Sequence, residues 1–250
     1  MNKAHQLSSL LKKITRKILS KFNLVITKEG LASSHIKTSE LYLAEVKDVV
    51  IFDVGAFNGE TVIGYSKVFP NAKIFAFEPF PSSFIELQHN TSGVNNLRCE
   101  NFGLTDLEGP QCFNVNQAAP TNSLLPVSEN AKKNWSANRS PASKNTLECQ
   151  FTTLDAYVNK SGIDRIDLLK IDVQGAEFKV LNGGLASLKS GMIKLIYMEM
   201  ILVETYDDQK PISYYMEFFE RHNFALVGFY NQSYNDNNIL TQVDMLLSRV

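Results

Sequence analysis

Histidine and cysteine are scarce in this chain, and long apolar runs are missing altogether. Only four histidines, three cysteines and one tryptophan occur in 250 residues. Cys99, Cys112 and Cys149 form neither a Cys-x-x-Cys pair nor an even set, which predicts three free thiols in a reducing compartment rather than a disulfide framework. His5, His35, His89 and His222 are scattered, so no zinc cluster and no Ser-His-Asp arrangement is indicated. No apolar run of about 18 residues exists, which excludes a spanning helix. The N-terminal stretch lacks the apolar core and small-residue cleavage site of a signal peptide, and a cytoplasmic protein is expected. A formal net charge of -1 gives no support for a nucleic-acid partner bound over the whole surface.

A local absence is as informative. Between Met1 and Lys28 there is no acid, while Lys3, Lys12, Lys13, Arg16, Lys17, Lys21 and Lys28 are basic. Leu7, Leu10, Leu11, Ile14, Ile18 and Phe22 recur there at helical spacing. Two uses are open for such a basic amphipathic helix. Its apolar stripe can dock on the domain with the basic face solvated, or it can make peripheral contact with an anionic membrane surface. The expected organisation is a basic helical arm over residues 1–46 and one domain over 47–250.

From residue 47 onward short apolar strands alternate with helices. Strands are predicted at Val49–Asp53, Lys73–Phe77, Leu97–Phe102, Ile166–Ile171, Ile193–Met200 and Ala225–Tyr230, with a last edge strand at Asp244–Ser248. Helices are predicted at Thr38–Val46, Gly59–Phe69, Ser82–Asn90, Ala176–Leu188 with an interruption at Gly183-Gly184, and Ile212–His222. This alternation argues an α/β fold with a mostly parallel sheet covered on both faces. Asn114–Asn145 breaks the rhythm with Asn, Ser, Pro and Lys, and is expected to be a long loop insertion at about 114–146, carrying the lone Trp135; a lid or substrate loop that shapes the acceptor pocket is the reading set against a disordered insertion.

The first motif is VVIFDVGAFNGETV, Val49 to Val62: an apolar strand, then an acid, then a glycine turn. It is not a Walker loop, which needs GxxxxGK[ST]. Nor is it the dinucleotide fingerprint GxGxxG, because Phe57 occupies the place of the second glycine. Asp53 and Glu60 would repel a pyrophosphate from the helix start. An adenosine carrying a sulfonium and an amino acid suits these acids better. Its ribose calls for a carboxylate at the end of the next strand, and KIFAFEP supplies Glu78, with Pro79 fixing the turn.

The second motif is DRIDLLKIDVQGAEFKVLNGG. It places Lys170 and Asp172 at the carboxyl end of a strand, where open α/β sheets bind ligands. Such residues are expensive to bury unless paired or used. Glu199, ending KLIYMEM, projects from the next strand end. Asp172 and Glu199 could together hold a divalent cation such as Mg, or serve as a general base.

FDVGAFNGE, FAFEP with LQHN behind it, TTLDAYV and DLLKIDVQGAEFKVLNGG together resemble the FkbM-type methyltransferases, which depend on S-adenosylmethionine. The likeness runs from about Val49 to Phe229. It implies a Rossmann-like class I methyltransferase fold, a seven-stranded mostly parallel sheet with the last strand antiparallel and helices on both faces. It also implies methyl transfer to an oxygen, commonly a hydroxyl of a sugar, glycan or natural product. By position, Asp53, Gly55, Ala56, Phe57, Asn58 and Gly59 would shape the cofactor turn, Glu78 and Pro79 the ribose end, and Gly103 and Leu104 the adenine end. Asn90 would stand behind the helix, and Asp172 would bind cofactor or act catalytically with Lys170 and Glu199. Two residues depart from the pattern: Phe57 stands where the family has Asn, and Gln174 where it has Glu. Gln174 keeps open a non-catalytic S-adenosylmethionine-binding module; a nicotinamide-dependent oxidoreductase is opposed by Phe57 and the missing third glycine.

Overall fold

The computed structural model describes residues 34–135 and 141–250. The expected basic helix at the N-terminus lies outside the described residues. Helix α1 (His35–Tyr42) leads into strand β1 (Val50–Val54), every residue of which is buried. A strand buried on both faces must be apolar throughout, which is why VIFDV carries a single acid. Helix α2 (Glu60–Val68), β2 (Lys73–Phe77), helix α3 (Pro81–Asn90) and β3 (Leu97–Glu100) follow. Pro81 opens α3, where a missing N–H costs no hydrogen bond.

The chain then leaves the main sheet for β4 (Gly103–Leu104) and β5 (Gly109–Asn116), a 3-10 turn (Ala119–Thr121), a short helix α4 (Ala131–Asn134) and β6 (Ser143–Thr152). It returns through helix α5 (Leu154–Ser161), β7 (Ile166–Ile171), helices α6 (Glu177–Asn182) and α7 (Leu185–Ser190), β8 (Ile193–Ile201), helix α8 (Ile212–Arg221), β9 (Phe224–Tyr234) and β10 (Leu240–Arg249).

The main sheet has the order β3-β2-β1-β7-β8-β10-β9. β1, β2, β3, β7 and β8 pair in parallel, and β10 runs antiparallel to both β8 and β9. The expected seven-stranded sheet with an antiparallel last strand is therefore present. β10 is not the edge strand that its sequence suggested, however. It inserts between β8 and β9, which explains the near-continuous burial of Val243 to Leu247, and β9 takes the edge.

The segment 114–146 also differs from expectation. Its two ends belong to strands: β4, β6 and β5 form a separate three-stranded sheet, with β5 and β6 antiparallel. Between them, residues 123–135 are fastened to other elements. Ser128 N–H donates to the Thr205 carbonyl (2.9 Å), and Trp135 Nε1 donates to Thr205 Oγ1 (2.7 Å).

Helix α1 and Leu43 pack into the apolar cluster under β1 and β2, within a compact unit that spans His35–Val250. The interruption expected at Gly183-Gly184 within Ala176–Leu188 is present, and parts that stretch into α6 and α7. A Cβ on Gly183 would lie 2.0 Å from the Thr105 carbonyl, and one on Gly184 would lie 2.6 Å from Leu154. The break lets the chain pass close to both.

Candidate active site

The strand order reverses at β1 and β7: the chain runs outward from β1 to β2 and β3, then crosses to β7. Open α/β sheets bind ligands at the carboxyl ends of the strands at such a switch point. A cavity of about 240 Å³ lies there. Its wall takes Val54, Gly55 and Phe57 from the turn after β1, Glu78 and Pro79 from the end of β2, and Gly103 and Leu104 from β4. Asp172 and Gln174 after β7, and Glu199 on β8, complete the opposite end.

Sequence reasoning placed Gly55, Phe57, Glu78, Pro79, Gly103, Leu104, Asp172 and Glu199 in one site, and the structure brings all eight to the same cavity. Asp53, Ala56, Asn58, Gly59 and Lys170 are not on its wall. They build the turn from beneath and behind. Lys170, buried, donates to the Gly55 carbonyl (2.6 Å) and pairs with Asp53 at 2.8 Å and with Asp172 at 3.7 Å. Burial works against the lysine's charge, but the Asp53 and Asp172 carboxylates outweigh it and raise its pKa above the ordinary lysine value. Lys170 is therefore a fixed cation under the turn and not a proton donor at the cavity. Asn58 accepts at its carbonyl from Asn90 Nδ2 (2.9 Å), which fastens the end of α3 to the turn. A Cβ on Gly59 would strike Thr91 at 2.6 Å.

The turn itself is tight. Gly55 has φ 78°, and a Cβ there would lie 1.9 Å from the Asp172 carbonyl, so the ends of β1 and β7 close only around glycine. Phe57 adopts φ 47°, left-handed backbone that a bulky residue rarely takes. Its N–H donates to Glu78 Oε2 (2.9 Å), while Phe80 N–H donates to Glu78 Oε1 (2.9 Å). Glu78 thus ties the turns after β1 and β2 together. Each of its oxygens keeps a second lone pair, and the residue remains on the cavity wall. Burial pushes its pKa up to about 7, against those two N–H bonds, which lower it.

At the other end, Gln174 (φ 57°) and Gly175 (φ 91°) are both left-handed and turn the chain sharply after β7. Gln174 Nε2 donates to Asp172 Oδ1 (3.1 Å) and to Glu199 Oε2 (2.6 Å). Gln242 Nε2 donates to Glu199 Oε1 (2.5 Å). Glu199 is buried, and burial, followed by the charges of Asp172, Glu177 and Asp244, raises its pKa well above the carboxylate range. The side chain of Asp172 is 36% exposed.

This arrangement does not suit the divalent cation expected between Asp172 and Glu199. The N–H side of an amide points at both carboxylates, and that side cannot ligate a cation. No group of three or more His, Cys, Asp or Glu suited to a metal exists among the described residues.

Sequence reasoning expected the loop over Asn114–Asn145 to shape the acceptor pocket but named none of its lining residues, Pro120, Asn122 and Leu124, and missed Phe113 and Phe151 of the small sheet. Leu147, Cys149 and Phe151 alternate with Glu148 and Gln150, a period of two that marks β6 as a half-buried strand. Nothing in the composition of 119–125 marks it as a wall. Ser123 fixes that stretch, donating through Oγ to the Gln174 carbonyl (2.7 Å).

A seven-stranded sheet in this order, with its cavity at the switch point, has the Rossmann-like fold of class I methyltransferases. The methyltransferase domain METTL16 shares the fold with a TM-score of 0.52 at 10% identity, covering 90% of this chain and 70% of that one. Residues 53–226 match the methyltransferase FkbM domain, and the chain belongs to that family. It is 27% identical over 173 residues to the 2-O-methyltransferase NoeI of Sinorhizobium fredii, covering 68% of this chain and 70% of that protein. It is 32% identical over 157 residues to methyltransferase sdnD of Sordaria araneosa, spanning 53% of this chain and 59% of that relative.

Proposed function

We propose that this methyltransferase uses S-adenosylmethionine to methylate a hydroxyl of a sugar, glycan or related polyhydroxylated natural product. The observation that carries the reading is the polarity of this cavity: Glu78 at one end, and the bridged pair Asp172 and Glu199 at the other. The residues fit the cofactor. The free lone pairs of Glu78 suit a ribose diol, and the apolar surfaces of Pro79, Leu104, Phe113 and Phe151 suit a planar base. When bound, the cofactor supplies an activated methyl group for in-line displacement.

The protein has then to align an acceptor oxygen and take its proton. Gln174 occupies Oδ1 of Asp172, which leaves Oδ2 to receive the hydroxyl proton. Lys170 is held charged 3.7 Å from that oxygen. Asn122 presents a further polar group: its Oδ1 accepts from Asn116 N–H (2.8 Å), while its Nδ2 has no partner among the described residues. The name of NoeI, a 2-O-methyltransferase, supports an oxygen acceptor.

Asp172→Asn should lower turnover by about 100-fold or more, the usual contribution of a general base. Affinity for S-adenosylhomocysteine should change little. The assay is methyl transfer from labelled S-adenosylmethionine to a panel of mono- and disaccharides. Undiminished turnover in the variant would remove Asp172 from the role.

A further inference from the structure

Two carboxyl groups side by side at the end of a cavity need a cation or hydrogen-bond donors between them to stay in place. Lys170 does not fill that place. It pairs with Asp53 and Gly55 below the turn, and its nearer contact with the pair is to Asp172 Oδ2. The group between Asp172 Oδ1 and Glu199 Oε2 is the Gln174 amide, donating one bond to each. Its orientation is set from several sides. The backbone at 174 is left-handed, and its carbonyl is held by Ser123 Oγ. Tyr206 Oη lies 3.2 Å from Gln174 Oε1, on the face of the amide away from the carboxylates.

We propose that Gln174 is a positioning residue whose amide joins Asp172 to Glu199 as a divalent cation would, leaving the acceptor end of the site independent of metal. This rests on the reading that Asp172 faces the acceptor. It adds that the pair is organised by two N–H donors that the chain carries itself. A carboxylate at position 174 would reverse the arrangement: three acids would converge, and a cation would become the cheapest way to hold them together.

Two variants test this on the full chain. Gln174→Glu should bind Mn²⁺ in calorimetry at one ion per chain, at least roughly tenfold tighter than the wild type, since a third oxygen ligand joins two already in place. That titration needs no turnover, so it stands whether or not the methyl-transfer reading does. In the saccharide assay the wild type should be indifferent to EDTA. Gln174→Glu should be inactive in EDTA and recover with Mn²⁺.

Gln174→Met fills the same space without donors. It should lower kcat about 100-fold by releasing the base from its alignment, with KM for S-adenosylmethionine nearly unchanged. Equal Mn²⁺ affinity in the wild type and Gln174→Glu would overturn the proposal, as would loss of wild-type turnover in EDTA. A Gln174→Met enzyme with unaltered kcat would also overturn it, and retained S-adenosylhomocysteine binding confirms that either variant has folded.

Discussion

Phe57 is the residue that least resembles its neighbours' usual chemistry. A left-handed φ of 47° costs an ordinary L-residue roughly 1–2 kcal/mol, whereas Asn tolerates the region. The half-buried ring offsets part of that by covering the cavity wall, an apolar contribution of about 1 kcal/mol. The two effects nearly cancel in Phe57→Asn, so its Tm should stay within about 4 °C of the wild type. Its affinity for S-adenosylhomocysteine should nevertheless fall, because the wall is lost while the N–H to Glu78 is kept. Thermal unfolding and calorimetry on the same sample separate the two effects. An unchanged affinity would mean that the ring is not part of the ligand surface.

At the scale of elements, the site is made by three close approaches of backbone: β1 to β7 at Gly55, α6 to the chain after β4 at Gly183, and the 119–125 wall to the turn after β7 through Ser123. The strands that carry the first approach were legible, because they are mostly apolar and bounded by Gly, Pro or acids. Lys73–Phe77 and Ile166–Ile171 have the expected bounds. β5 and β6 were not read as strands. Their exposed positions hold polar residues, and the loop between them is rich in Asn, Ser and Pro, so the composition of a surface hairpin hid its period of two. α5 was visible only as TTLDAYV, a motif without a structural reading. Its Thr153 caps the helix by accepting from Ala156 N–H (3.1 Å), and Asp155 accepts from Ser187 N–H (2.8 Å) at the start of α7. The acids of the site were found because strand ends are where ligands sit. That Lys170 turns under the glycine loop, and that an amide lies between the two carboxylates, are matters of side-chain direction that strand position does not encode.

Across the whole molecule, buried acids set the response to pH. Burial raises Glu78 and Glu177 to about 7 and Asp244 to about 6, and raises Glu199 well above the ordinary carboxylate range. Each folded-state value lies above that of the unfolded chain, so the native state binds more protons and stability declines as pH rises from about 4.5 to 7. One such carboxylate is worth on the order of 3 kcal/mol over that interval. Tm of the unliganded protein should therefore be higher near pH 5 than near pH 8; a Tm that climbs steadily across this range would contradict the assignment.

Cofactor affinity should move the other way. The ionised form of Glu78 offers more acceptors to a diol, so binding strengthens as pH passes upward through about 7. The central claim is that this cavity takes the ribose of S-adenosylmethionine at Glu78, and calorimetric titration of S-adenosylhomocysteine into the wild type and Glu78→Gln at pH 6 and pH 8 tests it most directly. The account predicts one site per chain, tighter at pH 8 in the wild type, and binding in Glu78→Gln that is weaker and the same at both pH values. Absence of binding in the folded wild type, or equal affinity in the two proteins at pH 8, would contradict it.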